Sequence, residues 1–160
     1  MKKVILLATV LAIFAVKDGY SQDSTQQAQL SHMLAKYYTI KDALVNGNSL
    51  AAVAGANAFI KAANAIDYKA ISEGNINALV KDATFIAENR DVNQQRARFV
   101  DLSNNLIALS KHIKLSSSTV YHVYCPMRKA YWLTSSQEIR NPYYGSTMMS
   151  CGNVVATINP

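Results

Sequence analysis

The chain has 160 residues, of which 50% are hydrophobic and 16% charged. That length holds one domain and hardly two, and that balance excludes a disordered or collagen-like chain. The formal charge is +6, yet its lysines and arginines are scattered, with no basic run interleaved with aromatics, which argues against a nucleic-acid partner.

Lys2 and Lys3 precede an uncharged apolar run, Val4 to Val16, that Lys17 and Asp18 close. Such a run is too short for a membrane span, which takes about 20 apolar residues. It suits the core of a secretory signal. Residues 1–22 are therefore expected to be a cleavable signal sequence. Residues 23–160 are expected to form a single exported domain of the periplasm or cell envelope, with no membrane span after cleavage. No cysteine follows the apolar run, so a lipid anchor is not expected.

Residues 23–115 read as a four-helix antiparallel bundle, a mainly α fold. Ser24 with Gln27 has the pattern of a capping box. Leu30, Leu34, Tyr37, Tyr38, Leu44 and Val45 then recur near the helical period, and Gly47 can end the helix with a positive φ. Asn48 or Ser49 opens a second helix reaching about Ile66. It is rich in alanine, with Leu50, Val53, Ile60 and Ile66 as its larger core anchors. A third helix starts between Ser72 and Asn75 and carries a stripe of Ile76, Leu79, Val80, Ala83, Ile86 and Ala87. Asp91 with Gln94 repeats the capping pattern for a fourth. There Val92, Phe99, Leu102, Leu106, Leu109 and Ile113 form the apolar face.

The character changes at Ser116, Ser117 and Ser118. Residues 116–160 are expected to be an irregular C-terminal segment containing short β-strands. Thr119 to Tyr124 is β-branched and aromatic and reads as a strand, and Asn153 to Ile158 as a last short one. Between them Pro126, Trp132, Pro142, Tyr143, Tyr144 and Gly145 mark turns and short extended pieces.

This segment holds both cysteines, Cys125 and Cys151, each with a methionine two residues away on its inner side, Met127 and Met149. Met148 lies one residue further in. Thiolate and thioether sulfur select Cu(I) and, to a lesser degree, zinc. Residues two apart on an extended chain share a face, so each Cys–Met pair can aim at one ion. His122, three residues before Cys125, faces the other side of a regular strand and joins the ligands only if the chain bends at Pro126. The alternative is a Cys125–Cys151 disulfide, the ordinary fate of paired cysteines in an oxidising compartment. Its loop of about 25 residues would contribute about 3 kcal/mol. No motif ties His32, His112 or His122 to Cys125 as a base, so an enzyme is not expected.

Several runs of this chain resemble, in order, the signature of one family, domain of unknown function 3347. They are Tyr124-Cys125-Pro126-Met127, then Ala130-Tyr131-Trp132-Leu133-Thr134, then Glu138 to Gly145, then Met148 and Cys151-Gly152. Tyr38 to Leu44 and Arg98 to Ser103 resemble its helical part. That family occurs as small exported proteins and attached to periplasmic adaptor subunits of heavy-metal efflux pumps. The resemblance implies handling of copper or a related metal, with an efflux-pump adaptor or another envelope metal protein as partner. It favours Met148 as the ligating sulfur, whereas the mirrored spacing favours Met149. The Cys-Pro-Met start is also similar to a short heavy-metal-binding domain that reads Cys-Pro-Met-His-Pro. Arg128 and Lys129 stand where that motif has His-Pro, which removes a donor and adds two positive charges. The ligand set implied is Cys125, Met127, Met148 and Cys151, with His122 and Met149 as extras.

Overall fold

The structure, a computed structural model, describes residues 18–159. The expected signal sequence lies outside the described residues apart from 18–22, which open the first helix. Four helices follow one another: α1 (Asp18–Val45), α2 (Ser49–Asn64), α3 (Glu73–Glu88) and α4 (Val92–Ser110). Among the described residues no helix is long and apolar enough to cross a membrane.

Local chemistry explains most helix ends. Past α1, Gly47 takes φ +66, Asn48 N–H donates to the Ala43 carbonyl at 2.9 Å and Gly47 N–H to that of Leu44 at 3.2 Å. This pair of bonds around a left-handed residue satisfies carbonyls that the helix leaves free. Asn48 caps α2 by accepting from Ala51 N–H, Ser72 caps α3 by accepting from Asn75 N–H, and Asp91 caps α4 by accepting from Asn93 N–H. The expected start at Ser24 is corrected: α1 runs through Ser24, so the donors a cap would satisfy are already bonded along the helix. Gln27 instead donates to the Lys114 carbonyl at 3.2 Å.

Each helix packs on the next, and small residues set the α1–α2 spacing. A Cβ added at Gly55 would stand 3.2 Å from the Ile40 backbone nitrogen. Of the anchors expected for α2, Ile66 is buried and Ile60 packs against the core, while Leu50 is corrected. Leu50 is 59% exposed, and Phe59 is the large side chain that is fully buried. The alanine stripe turns Phe59 inward together with Ala52, Ala56 and Ala63, and Leu50 falls outside that stripe.

The C-terminal segment folds as a three-stranded antiparallel sheet in the order β2-β1-β3. Its strands are β1 (Val120–Cys125), β2 (Ala130–Thr134) and β3 (Asn153–Ile158). The first and last were expected, and β2 stands where only turns and short extended pieces were. Cys125 pairs with Ala130 across a four-residue loop in which Lys129 has φ +54. α4 packs on β2. Lys41 of α1 donates to Thr134 Oγ1 at 3.4 Å, and Tyr37 stacks on Phe99 of α4, ring centroids 4.9 Å apart.

Candidate functional site

The β1–β2 hairpin and residues 138–152 form the site between them. Val123, Cys125, Ala130 and Trp132 sit on one face of the sheet, all buried. The chain from Ile139 to Gly152 covers that face. Gly152 lies so close that a Cβ would stand 2.6 Å from Trp132 Cη2 and 3.1 Å from Val123 Cγ1. Only glycine lets Cys151 approach the hairpin there.

Asn141 shapes the covering segment. Fully buried, it donates from Nδ2 to the Cys151 carbonyl at 2.6 Å. Its Oδ1 accepts from the N–H groups of Tyr143 and Tyr144, and its own N–H donates to the Met149 carbonyl at 2.8 Å. Arg96 of α4 ties the segment to the bundle by donating to the carbonyls of Pro142 at 3.1 Å and Leu44 at 2.9 Å. Sequence reasoning read residues 141–145 as a turn. The Asn-Pro step and its Asx-type bonds were the available signal for the role of Asn141.

The outcome is that Cys125 Sγ and Cys151 Sγ stand 2.9 Å apart, both as free thiols. Cys125 is fully buried and Cys151 half-buried. Burial alone would raise the Cys125 pKa. The Cys151 thiol, the Arg128 N–H, the Asn141 amide and the Met127 N–H outweigh it, and the group lies below its ordinary value. Hydrogen bonding to Cys125 and burial push Cys151 upward. The two thiols therefore titrate as a pair, one proton leaving readily and the second held by the negative charge that the first leaves behind.

The other expected ligands divide. Met127, in the hairpin loop, is 62% exposed, and its backbone N–H reaches both sulfurs. Met148, 38% exposed, accepts the Cys151 N–H on its carbonyl at 3.1 Å. Met149 is half-buried and held by its carbonyl to Asn141. His122 is not brought to the sulfurs. β1 stays extended to Cys125, so His122 projects from the opposite face, pairs with Leu133 and packs its ring on Tyr131 at 5.0 Å.

Among the described residues no three of His, Cys, Asp and Glu gather as a cluster that could hold a metal. The donors in hand are two thiols with thioethers on the flanking residues, a soft set that fits a monovalent ion of low coordination number. In a tetrahedral zinc site, bonds of about 2.3 Å hold two sulfurs about 3.8 Å apart, while a disulfide joins them at about 2.05 Å. At 2.9 Å the thiols stand between the two arrangements.

A family model described as Protein of unknown function (DUF3347) matches residues 33–118, more than half of the chain. The matched stretch is the helical part and stops before β1. No curated protein and no solved structure matches the chain.

Proposed function

Because the chain belongs to the family described as Protein of unknown function (DUF3347), its activity is to be read from its own atoms, and we propose that it is an exported metal-handling protein that binds Cu(I) or a similarly soft ion for sequestration or transfer. What carries the reading is the meeting of Cys125 and Cys151, 26 residues apart in sequence, with Met127 and Met148 exposed on either side. An exposed thioether has little packing to gain, and two of them flank the one thiol pair among the described residues. Bound copper would be held by the two thiolates, with the methionines completing its shell. Two thiolates around a monovalent ion leave one negative charge, which Arg128 and Lys129 in the same loop offset.

The same surroundings support binding over catalysis as the reading, since His122 projects from the face of β1 opposite Cys125 and gives it no base. Export rests on the N-terminal pattern of residues 1–22. The partner that the family resemblance implies is an efflux-pump adaptor or another envelope metal protein. The test is a Cu(I) competition titration on reduced protein. One ion should bind per chain, with affinity falling as pH falls because the thiols must lose their protons. A Cys125→Ser, Cys151→Ser double variant that binds as tightly as wild type would sink the proposal.

The 2.9 Å separation also favours a second reading, a non-catalytic helical interaction domain stapled by a Cys125–Cys151 disulfide. On that reading the thiols of protein taken from the cell envelope resist alkylation until reduced. Free alkylation without reductant counts against it.

A further inference from the structure

The two edges of the sheet are finished differently. On the outer edge of β2, Leu133 N–H donates to the Tyr37 hydroxyl at 3.2 Å and the Tyr131 carbonyl accepts from the Tyr143 hydroxyl. Tyrosines of the bundle and of the covering segment thus close that edge. On β3, among the described residues, no backbone or side-chain group bonds the outward N–H and C=O groups. β3 contains no charged residue and no proline, and Val154 and Val155 are exposed. Charge and proline are the usual guards of an open edge. The one guard here is a bulge, where β3 sets both Val154 and Val155 against Val123 of β1.

Beside this edge lies a cleft. α4 packs over β2, and between α4 and the rest of that face a space of about 510 Å³ remains. Ile107 of α4 and Lys111 just past its end, His122 and Tyr124 of β1, and Val155 and Ala156 of β3 are among its walls. Lys111 is the only lysine, arginine or acidic residue there, and it has no ion pair among the described residues. The His122 Nε2 atom is buried without a hydrogen-bond partner.

The geometry points to β3 as a docking edge for an extended segment of another protein, with apolar side chains and one carboxylate two residues apart on the face turned to α4. Strand addition satisfies the open backbone of β3. Alternate side chains of the added strand then project over the cleft, where apolar ones meet Val155 and Ile107 and a carboxylate meets Lys111. A second copy of β3 pairs less well, because its residues, Asn153 to Ile158, offer Lys111 no negative charge.

The test uses the full-length protein and a fluorescein-labelled peptide, Val-Thr-Glu-Thr-Val-Thr, followed by anisotropy. Saturable binding is expected, weakened about tenfold when lysine replaces the glutamate, the scale of one charge pair. Thr157→Pro should abolish it. The tyrosine bonds mark Tyr131 and Leu133 as outward, so the register turns Ala156 and Ile158 toward β1 and leaves the Thr157 N–H facing out. Proline there removes a docking donor and spares the internal ladder. Lys111→Glu, which does not touch the sheet's hydrogen bonds, should reverse the preference between the two peptides. Absence of saturable binding at millimolar peptide, or an unchanged preference in Lys111→Glu, overturns the proposal. A concentration-dependent dimer by light scattering, lost in Thr157→Pro, overturns it in favour of a second copy at this edge. Equal competition by N-acetylglutamate alone reduces it to a site for small carboxylates.

Discussion

Tyr37 joins three elements through one side chain. Fully buried on α1, it stacks on Phe99, accepts the Leu133 N–H and shares a hydrogen bond with Ser103 Oγ at 2.7 Å. Burial raises its pKa far above the ordinary phenol value, so the hydroxyl keeps its proton. Tyr37→Phe leaves the buried Leu133 N–H without its partner and takes one partner from the buried Ser103 hydroxyl. A loss of about 1–3 kcal/mol is expected, measured as a lower urea midpoint with an unchanged slope. His122 makes a second prediction. Burial, then the charge of Lys111, lowers its pKa below 6.5 in the folded protein. The unfolded chain therefore takes up the proton first. The histidine's contribution is complete above the unfolded value of 6.5 and is lost as pH falls through the lower folded value. Wild type should lose stability relative to His122→Gln as pH is lowered from 6.5 to that value, and lose no more once both states carry the proton, measured by urea denaturation across a pH series. A pH-independent difference between the two proteins would contradict the assignment.

At the scale of elements, the α3–α4 connection depends on Gln95. Its Nε2 group donates to the carbonyls of Ile86 at 3.2 Å, Asn89 at 2.7 Å and Ser49 at 3.1 Å, so it fastens the end of α3 to the start of α2. Gln95→Leu keeps the volume and removes the donors. It should cost about 2–3 kcal/mol, the desolvation of carbonyls left unpaired, and amide hydrogen exchange should quicken around residues 86–95 first. Elements like these were only partly legible in the sequence. Caps and stops are local chemistry, so Asn48, Ser72, Asp91 and Gly47 could be read where they stand. Which face of a helix is buried is a tertiary matter, and in the alanine-rich α2 the small residues, not Leu50, decide it. β2 escaped because a strand is defined by its partner. Its residues, Ala130 to Thr134, suit a short extended piece, but only pairing with β1 makes that piece a strand. In the site, the separation of His122 from Cys125 followed from strand alternation. The work of Asn141 did not, because its partners, the Cys151 carbonyl and the Cys125 thiol, are brought to it by the fold.

For the molecule as a whole, the bundle and the sheet bring two thiols together, and on the proposed function three states compete there: free, bridged by a metal, or joined to each other. Each state has its own stability. Joining Cys125 to Cys151 closes a loop of about 25 residues in the unfolded chain and should stabilise the fold by about 3 kcal/mol. For a domain of this size that raises Tm by roughly 10 °C. An ion bound only by the folded dithiol stabilises by mass action, about 2.7 kcal/mol at a free concentration one hundred times its Kd. The two effects are of similar size, so a single melting curve does not separate them. A matrix of curves does. Reduced protein should gain in Tm when Cu(I) is added from a buffered donor, and the gain should grow with the logarithm of free Cu(I). Oxidised protein should start high and gain nothing, because its sulfurs are already bonded to each other. The Cys125→Ser, Cys151→Ser variant should melt close to the reduced apo protein under every condition. A copper-dependent gain in that variant would move the metal away from the thiols, and a reduced wild type indifferent to Cu(I) would leave the disulfide as the reason the two cysteines meet.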